Sequence, residues 1–481
     1  VSEQTKKKVV FIEPTVNQVN VFENYMRLPL LGCMYLGTIL HNQGYGVTIL
    51  NENILSKKID PFEVHADVFC ITSLTVSANR AKIIATQLRR IHPKAKIIMG
   101  GIHASLMPEE FTDVADHVVK GEAESIIVAL IEGAYTEKII EAPQVDNLES
   151  LPLINYSLLA GYTSLGIIPI MTSRGCPFDC SFCTVTKIFG RRFRMFSARR
   201  IVDEVKNALK YFSARNIFFY DDNFTANTRR VHELCDLIQE EKITISWNAQ
   251  VRSDIAREPE LLFKMKKAGC SRFFIGFESI NDETLKAMNK SQTRGDIEKA
   301  IAVIHEKGIN IHGMFIFGED HDTIESLRAT ADFAINQHLD TVQFMVLTPF
   351  PGTRTYEKIA AEKRFFHNQW DYFDGMHITY RPRTMNAATL QLETNRAYRK
   401  FYSLRRVLLE GLKLSFQIFV DALVWDFSRV FRYGIYSMFL KAGGKFLVKE
   451  YVRGYDTYIK FLIDADQETA QNDAGVTETN G

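Results

Sequence analysis

Ser173-Arg174-Gly175-Cys176-Pro177-Phe178-Asp179-Cys180-Ser181-Phe182-Cys183 places three thiols within eight residues at the spacing C-x3-C-x2-C. The run begins where a short apolar strand, Ile167 to Met171, stops. Three thiolates on one tight loop suit three irons of a cubane cluster and leave the fourth iron open to chemistry; four protein ligands would favour electron transfer or structure. Other uses of the thiols fit less well. Seven cysteines is an odd count, and no leader-like segment precedes them, which argues against a disulfide framework. A structural zinc needs a fourth ligand, and no further cysteine or histidine lies nearby in the sequence. Cys33, Cys70, Cys235 and Cys270 sit in apolar or helical patterns and read as small core residues.

Downstream of the cysteines, strand patterns recur at Ile217–Tyr220, Ile243–Gln250, Arg272–Phe277, Ile309–Phe317 and Thr341–Leu347. Amphipathic helices such as Ala198–Phe212 and Thr228–Glu240 separate them. With Ile167–Thr172 this makes six strands, which predicts an open, partial TIM-like (β/α)6 barrel with its reactive groups at the strand carboxyl ends. Those ends carry Asp221, Asp222 and Asn223, then Arg252, then Gly276-Phe277-Glu278-Ser279, Gly318-Glu319-Asp320 and Pro351-Gly352-Thr353. One carboxylate at such a place reads equally well as a helix cap, and Asp222 or Asn223 alone could do only that. Acid and arginine at several successive ends suit a zwitterionic, ribose-bearing ligand.

Upstream, residues 8–139 alternate strands (Val9–Ile12, Val47–Leu50, Val68–Thr72, Lys96–Met99, His117–Val119) with helical patterns (Leu31–Asn42, Ser77–His92, Pro108–Val114, Ala123–Gly133). The fold class is therefore α/β, with a Rossmann-like parallel sheet whose ligand lies over the strand carboxyl ends. Gly100-Gly101 and Gly121-Glu122 stand at those ends, where glycine lets backbone approach a bound group, or simply forms a tight turn. Residues 140–165 lack periodicity and read as a linker to the barrel of 166–384.

The pairing of this first unit (Pro29-x-x-Gly32, Gly100-Gly101-x-His103, Gly121-Glu122-x-Glu124) with the cysteine-bearing barrel resembles the cobalamin-binding subclass of radical S-adenosylmethionine (SAM) proteins. The aromatic Phe182 before the last cysteine, Tyr-Asp-Asp-Asn-Phe at 220–224, Arg252-Ser253-Asp254, Gly-x-Glu-Ser at 276–279 and Pro-Gly-Thr at 351–353 carry the same resemblance, over about residues 8–360. It implies a [4Fe-4S] cluster on Cys176, Cys180 and Cys183, SAM chelated to the open iron, and its cleavage to a 5′-deoxyadenosyl radical. It also implies that Glu278 contacts the SAM ribose, Arg252 its carboxylate and Asp221 or Asp222 its amino group, with Phe182, Phe317 and Gly318 bordering the adenine. Cobalamin would lie against Gly100, Gly101 and Gly121. The Asp-x-His-x-x-Gly signature that supplies a histidine to cobalt is absent, so the resemblance implies a base-off cobalamin with no protein histidine below the metal, or a retained fold that binds none. The activity implied is that of a C-methyltransferase at an unactivated carbon. Cyclisation, oxidation or carbon–carbon coupling by the same architecture, and a non-catalytic cobalamin or iron–sulfur sensor, stand as alternatives. The implied partners are a small-molecule substrate and an external electron donor such as flavodoxin or ferredoxin.

Residues 385–463 read as a helical region dense in aromatic and basic side chains, with 13 Lys/Arg against 5 Asp/Glu between Arg396 and Phe461. It reads either as a cap packed over the barrel or as a surface for weak membrane contact, accepting a lipid, terpenoid or hopanoid-like substrate. Residues 464–481, with five acids and no base, read as a disordered tail. Lys plus Arg (58) balances Asp plus Glu (57), which gives no charge argument for nucleic acid. No stretch reaches the roughly 18 apolar residues of a membrane span. Free thiols and an oxygen-sensitive cluster predict a cytoplasmic, reducing location.

Overall fold

The computed structural model describes residues 6–16, 27–406, 408–409, 412, 443–445, 448–449 and 455–478, with side chains up to residue 467. Its first sheet contains β1 (Lys8–Glu13), β2 (Gly46–Asn51), β3 (Val68–Thr72), β4 (Lys96–Gly100), β5 (His117–Gly121) and β6 (Ile139–Ala142). All six run parallel, in the order β2-β1-β3-β4-β5-β6. The strands are apolar on both faces because helices such as Leu31–Asn42 and Ala78–Ile91 cover the sheet. The chain reverses direction of growth between β1 and β3, and ligands of such sheets sit over that switch point.

The second sheet joins β7 (Ile168–Ile170), β10 (Asn216–Phe219), β11 (Ser246–Val251), β12 (Cys270–Glu278), β13 (Asn310–Phe317) and β14 (Thr341–Val346), in the order β14-β13-β12-β11-β10-β7. It is parallel throughout, and no pairing joins β14 to β7, so the barrel is open, as the six strand patterns predict. A short antiparallel pair, β8 (Ser173–Arg174) and β9 (Arg194–Met195), frames the cysteine loop. Along β11, β12, β13 and β14 the outward side chains are fully buried under helices. The inward ones (Gln250, Phe274, His312, Met314, Gln343 and Met345) keep partial exposure and line an open lumen. The barrel helices start at side-chain caps from Ser197, Asn227, Thr293, Thr323 and Thr353. One apolar core runs through both units: Phe11, Met34 and Tyr35 of the first belong to the same cluster as Phe196, Ile201 and Phe219 of the second.

Several local expectations change. Strand β6 begins at the last residue of the first unit and runs into the segment read as a linker; only Ile140 in it is fully buried, and as an edge strand it needs one apolar face. The stretch 108–114 holds only the 3-10 turn Pro108–Phe111, and 123–133 divides into a turn, Ala123–Ser125, and the helix Ile127–Glu132. The tail does not read as expected over 464–478, which continue the helix Asp456–Glu478. That helix is anchored where Tyr458 and Leu462 enter the core and where Asp466 accepts the backbone N–H groups of Ala387 and Ala388, at the start of the helix Ala387–Phe401. Composition sees the acids but not this docking. Most of 407–454, and 479–481, lie outside the described residues. No helix among the described residues is long and apolar enough to cross a membrane.

Candidate active site

The carboxyl ends of the two sheets open onto one cavity of about 350 Å³. From the first unit Leu31, Gly32, Thr72, Gly100, Gly101 and Gly121 line it; from the barrel Arg174, Phe189, Tyr220, Asp222 and Gln250 do. The glycines divide into two kinds. Gly101 and Gly121 have φ of 93° and 92°, and a Cβ there would lie 2.7 Å from Ser73 N and from Ala142 O respectively. The turn itself requires them. Gly100 and Gly32 are under no such compulsion: an added Cβ would meet only Val119 O at 4.0 Å in the first case and nothing within 4 Å in the second. Gly32 even stands in the first turn of a helix, where glycine is unfavourable. Absent side chains at both positions keep a cradle open at this end of the sheet, with room for a bulky planar group such as a corrin.

No histidine lines that cavity among the described residues. His103, of the Gly-Gly-x-His motif, is completely buried, with Nδ1 3.3 Å from Thr75 Oγ1 and Nε2 3.2 Å from Glu110. Trp370 Nε1 donates to the same carboxylate at 2.9 Å. The imidazole is therefore committed to the packing beneath the sheet end.

The three thiols of 176, 180 and 183 are free and half-buried, unlike the buried Cys33, Cys70, Cys235 and Cys270. Burial pushes the Cys183 thiol up to about 12, helped by Asp222 and by the two neighbouring sulfurs; Cys176 is raised by burial in the same way. Three partly buried thiols on one loop suit a cubane, in which each would bind a different iron. Among the described residues no three His, Cys, Asp or Glu side chains converge tightly enough for a single ion. Phe178, inside the loop, carries the guanidinium of Arg252 over its ring at 3.6 Å, so Arg252 lies against the cysteine loop. Phe178 is a residue that sequence reasoning missed.

Asp221 and Asp222 part company. Asp221 is buried and its carboxylate is consumed by the backbone N–H groups and hydroxyls of Thr172 and Ser173, so it braces β7 against β10 instead of facing a ligand. The Asp222 side chain is exposed and opens onto the cavity; the loss of surrounding water inside that recess, then the charge of Asp221, pushes its carboxyl up to about 7. Glu278 sits at a break in register between β12 and β13, with φ of 62°. Its carboxylate folds back over Gly276, where a Cβ would lie 2.3 Å from Oε1, and takes Lys290 Nζ at 2.6 Å. The bulge re-aims the side chain, and the Gly-x-Glu spacing exists because the carboxylate needs the space above the glycine. Lys290, buried and twelve residues on, was also missed.

Phe317 does not border the pocket side. It stacks on Phe344 at 5.3 Å within the main core, while Ile316, Met288 and Leu347 form the cluster on which Phe182 packs. Strand alternation turns Phe315 and Phe317 toward the helices and Ile316 toward Phe182. Gly318 (φ 106°) is held by Tyr380, whose hydroxyl donates to its carbonyl at 2.5 Å.

The glycine loop and the cysteine loop also touch through charge. Arg174 Nη1 and Arg194 Nη1 each donate to Glu122 Oε2 at 2.8 Å, and Arg174 Nη2 donates to Glu124 Oε1 at 2.5 Å. Burial alone would raise the Glu122 carboxyl, but the Arg194 hydrogen bond and the Arg174 charge hold it below its ordinary value.

Comparison with known proteins agrees with this layout. The family description "Radical SAM superfamily" matches residues 170–334, and "B12 binding domain" matches residues 18–131. The chain is 28% identical over 441 residues to the bacteriochlorophyllide d C-12(1)-methyltransferase of Chlorobaculum tepidum, covering 89% of this chain and 94% of that protein. It is 26% identical over 417 residues to the anaerobic magnesium-protoporphyrin IX monomethyl ester cyclase of Cereibacter sphaeroides, covering 79% and 65%. Among solved structures, the cobalamin-dependent S-adenosylmethionine radical enzyme OxsB, with aqua-cobalamin and S-adenosylmethionine bound, shares the fold at a TM-score of 0.66 and 16% identity, over 97% of this chain and 81% of that one.

Proposed function

Because this chain belongs to the cobalamin-binding radical SAM proteins, we propose that it is a C-methyltransferase acting on an unactivated carbon of a small molecule. The observation that carries the reading is the shared cavity, onto which the cradle of Gly32 and Gly100 and the barrel mouth at Asp222 both open. When bound, the cluster with SAM supplies a hydrogen-abstracting radical, and cobalamin supplies the methyl group that replaces the hydrogen. The residues of the chain bind and orient. Cys176, Cys180 and Cys183 hold the cluster, and Arg252, stacked on Phe178, presents a cation to the SAM carboxylate. Glu278, aimed by the bulge and steadied by Lys290, accepts from the ribose hydroxyls. Asp222 meets the amino group, and Phe182 with Ile316 walls the adenine. Gly32 and Gly100 leave the room the corrin would occupy, Gly101 and Gly121 form the turns beside it, and among the described residues no histidine lines the cavity.

The half-exposed lumen residues Gln250, Phe274, Met314, Gln343 and Met345 are uncharged, with His312 and the charged Arg272 toward the other end of the strands, which suits a substrate whose reacting part, at the carboxyl ends, is apolar, such as a tetrapyrrole or a lipid. Leu404, Leu408 and Leu412 are exposed at helical spacing beside the exposed Arg405, and support weak contact with an anionic membrane surface; salt-sensitive co-sedimentation with anionic vesicles tests this, and no pelleting at low salt removes it. The thiols call for a reducing compartment and for a low-potential protein that donates single electrons.

The deciding experiment supplies SAM labelled in its methyl group to the anaerobically reconstituted protein, with extracts of cells lacking it as the substrate source, and follows product mass. Label in a product one methyl group heavier is expected. A second reading, a ring closure or oxidation without methyl transfer, draws on the cyclase relative; 5′-deoxyadenosine formed with no label in any product would select it.

A further inference from the structure

β8 and β9 pair antiparallel with Arg174 directly opposite Arg194, and both side chains are buried. Like charges facing one another across a strand pair repel, and a low-dielectric setting strengthens the repulsion. The hairpin that leads into the cysteine loop is therefore unfavourable by itself. The missing anion comes from the other unit: Glu122 lies between the two guanidiniums and accepts from both, and its Oε2 also accepts the Val145 N–H at 2.9 Å. Glu124 accepts the remaining arm of Arg174. On the one side this tie is a single residue from Gly121. On the other it is two residues from Cys176, with Gly175 (φ 86°) pressed so close that a Cβ would lie 2.5 Å from Arg192 O. Neither loop has slack to absorb a shift.

Holding the two units together does not demand these charges. A second clasp does so, where Trp370 and Phe373, from the segment after β14, enter a core cluster of the first unit and Asn79 donates to Asp371. A buried ion-pair network adds little net stability over an apolar contact. What it adds is geometry, because the guanidinium fork fixes both angle and distance to a carboxylate.

We propose that Glu122, Glu124 and Arg174 are positioning residues: the first domain completes the hairpin of the cysteine loop and thereby sets the separation of cluster and cobalamin. This rests on both cofactors binding as proposed above, and is independent of whether methyl transfer follows. With the cluster reduced and the cobalamin as cob(II)alamin, both are paramagnetic, and pulsed electron paramagnetic resonance on the reconstituted holoenzyme reads the distance between them. One narrow distance distribution is expected for the unaltered protein. Glu122→Gln and Arg174→Lys lose the narrow peak while iron and cobalamin contents hold. Glu124→Gln, which leaves Glu122 in place, broadens it less. Adding Arg194→Gln to Glu122→Gln removes the facing charge and brings the narrow peak back in part. If Glu122→Gln fails to hold its cluster, recovery of iron in the double variant supports the proposal and no recovery counts against it. An unchanged distribution in Glu124→Gln and Arg174→Lys overturns it. An unaltered protein that takes up no cluster or no cobalamin overturns the proposed function instead.

Discussion

The two parallel sheets furnish their carboxyl ends by opposite means. The first removes atoms: Gly32 and Gly100 leave room that a side chain would fill, and Gly101 and Gly121 let the chain turn out of the way. The second adds atoms: three thiols, Arg252 on Phe178, Asp222, and Glu278 against Lys290. A site made of space is damaged by enlargement, and one made of groups is damaged by deletion. The contrast also explains why the barrel mouth is dense in polar side chains while the Rossmann-like half is mostly backbone and aliphatic surface.

The largest effect tests the deletion side. Replacing Cys176, Cys180 or Cys183 with Ala removes one of the three proposed cluster ligands, and iron and sulfide analysis after anaerobic reconstitution should show loss of the cluster and of SAM cleavage, with far-ultraviolet circular dichroism unchanged. Retention of a full cluster by any of the three variants would break the assignment. Next, Glu278→Gln should weaken SAM binding by about 1–3 kcal/mol, with the cluster still present, because a charge-assisted contact is lost and Lys290 is left buried without its anion. Equilibrium dialysis with labelled SAM measures it, and an unchanged affinity would reduce the pair to a brace.

The enlargement side predicts a smaller effect. Gly100→Val should weaken cobalamin binding on the order of tenfold, about 1.4 kcal/mol, while SAM cleavage and melting temperature stay near those of the unaltered protein. Gly101→Ala should instead lower the melting temperature, because its φ of 93° and the 2.7 Å approach to Ser73 N act on the fold and not on the ligand. If both glycines behave alike, the division between cradle and turn is wrong.

The smallest effect concerns Glu13, at the end of β1, whose carboxyl burial raises from the ordinary 4.5 to about 7. The folded protein binds this proton more tightly than the unfolded chain does. The group therefore favours folding below about pH 4.5, and that contribution is lost as pH rises to about 7. Glu13→Gln should gain stability relative to the unaltered protein as pH rises from about 4.5 to about 7, with the advantage vanishing near pH 4. Parallel melting curves across that range check the sign.

Legibility in the sequence followed the range of the interaction. Thiol spacing, strand and helix periodicity and the Gly-Gly turns are local, and they locate the cluster loop, twelve parallel strands but for β6, and the end of each sheet that carries the site. Beyond a few residues the reading weakened. Asp221 and Asp222 are adjacent and chemically identical, and only the hydroxyls of Thr172 and Ser173, some fifty residues earlier, decide which of them is consumed. Ile316 and Phe317 exchange roles because strand register decides which one faces Phe182. The tail helix depends on a core that its own composition does not reveal.

By itself, then, the sequence determined the chemistry available: three closely spaced thiols, two α/β units, acids and arginines at the barrel ends, and no Asp-x-His-x-x-Gly signature. The tertiary structure alone decided which of those groups meet. Glu122 reaches Arg174 across fifty-two residues, and Trp370 reaches Glu110 across two hundred and sixty. The energy of such a contact depends on burial and relative position, which arise only when both units have folded and packed, so no stretch of neighbouring residues carries the information.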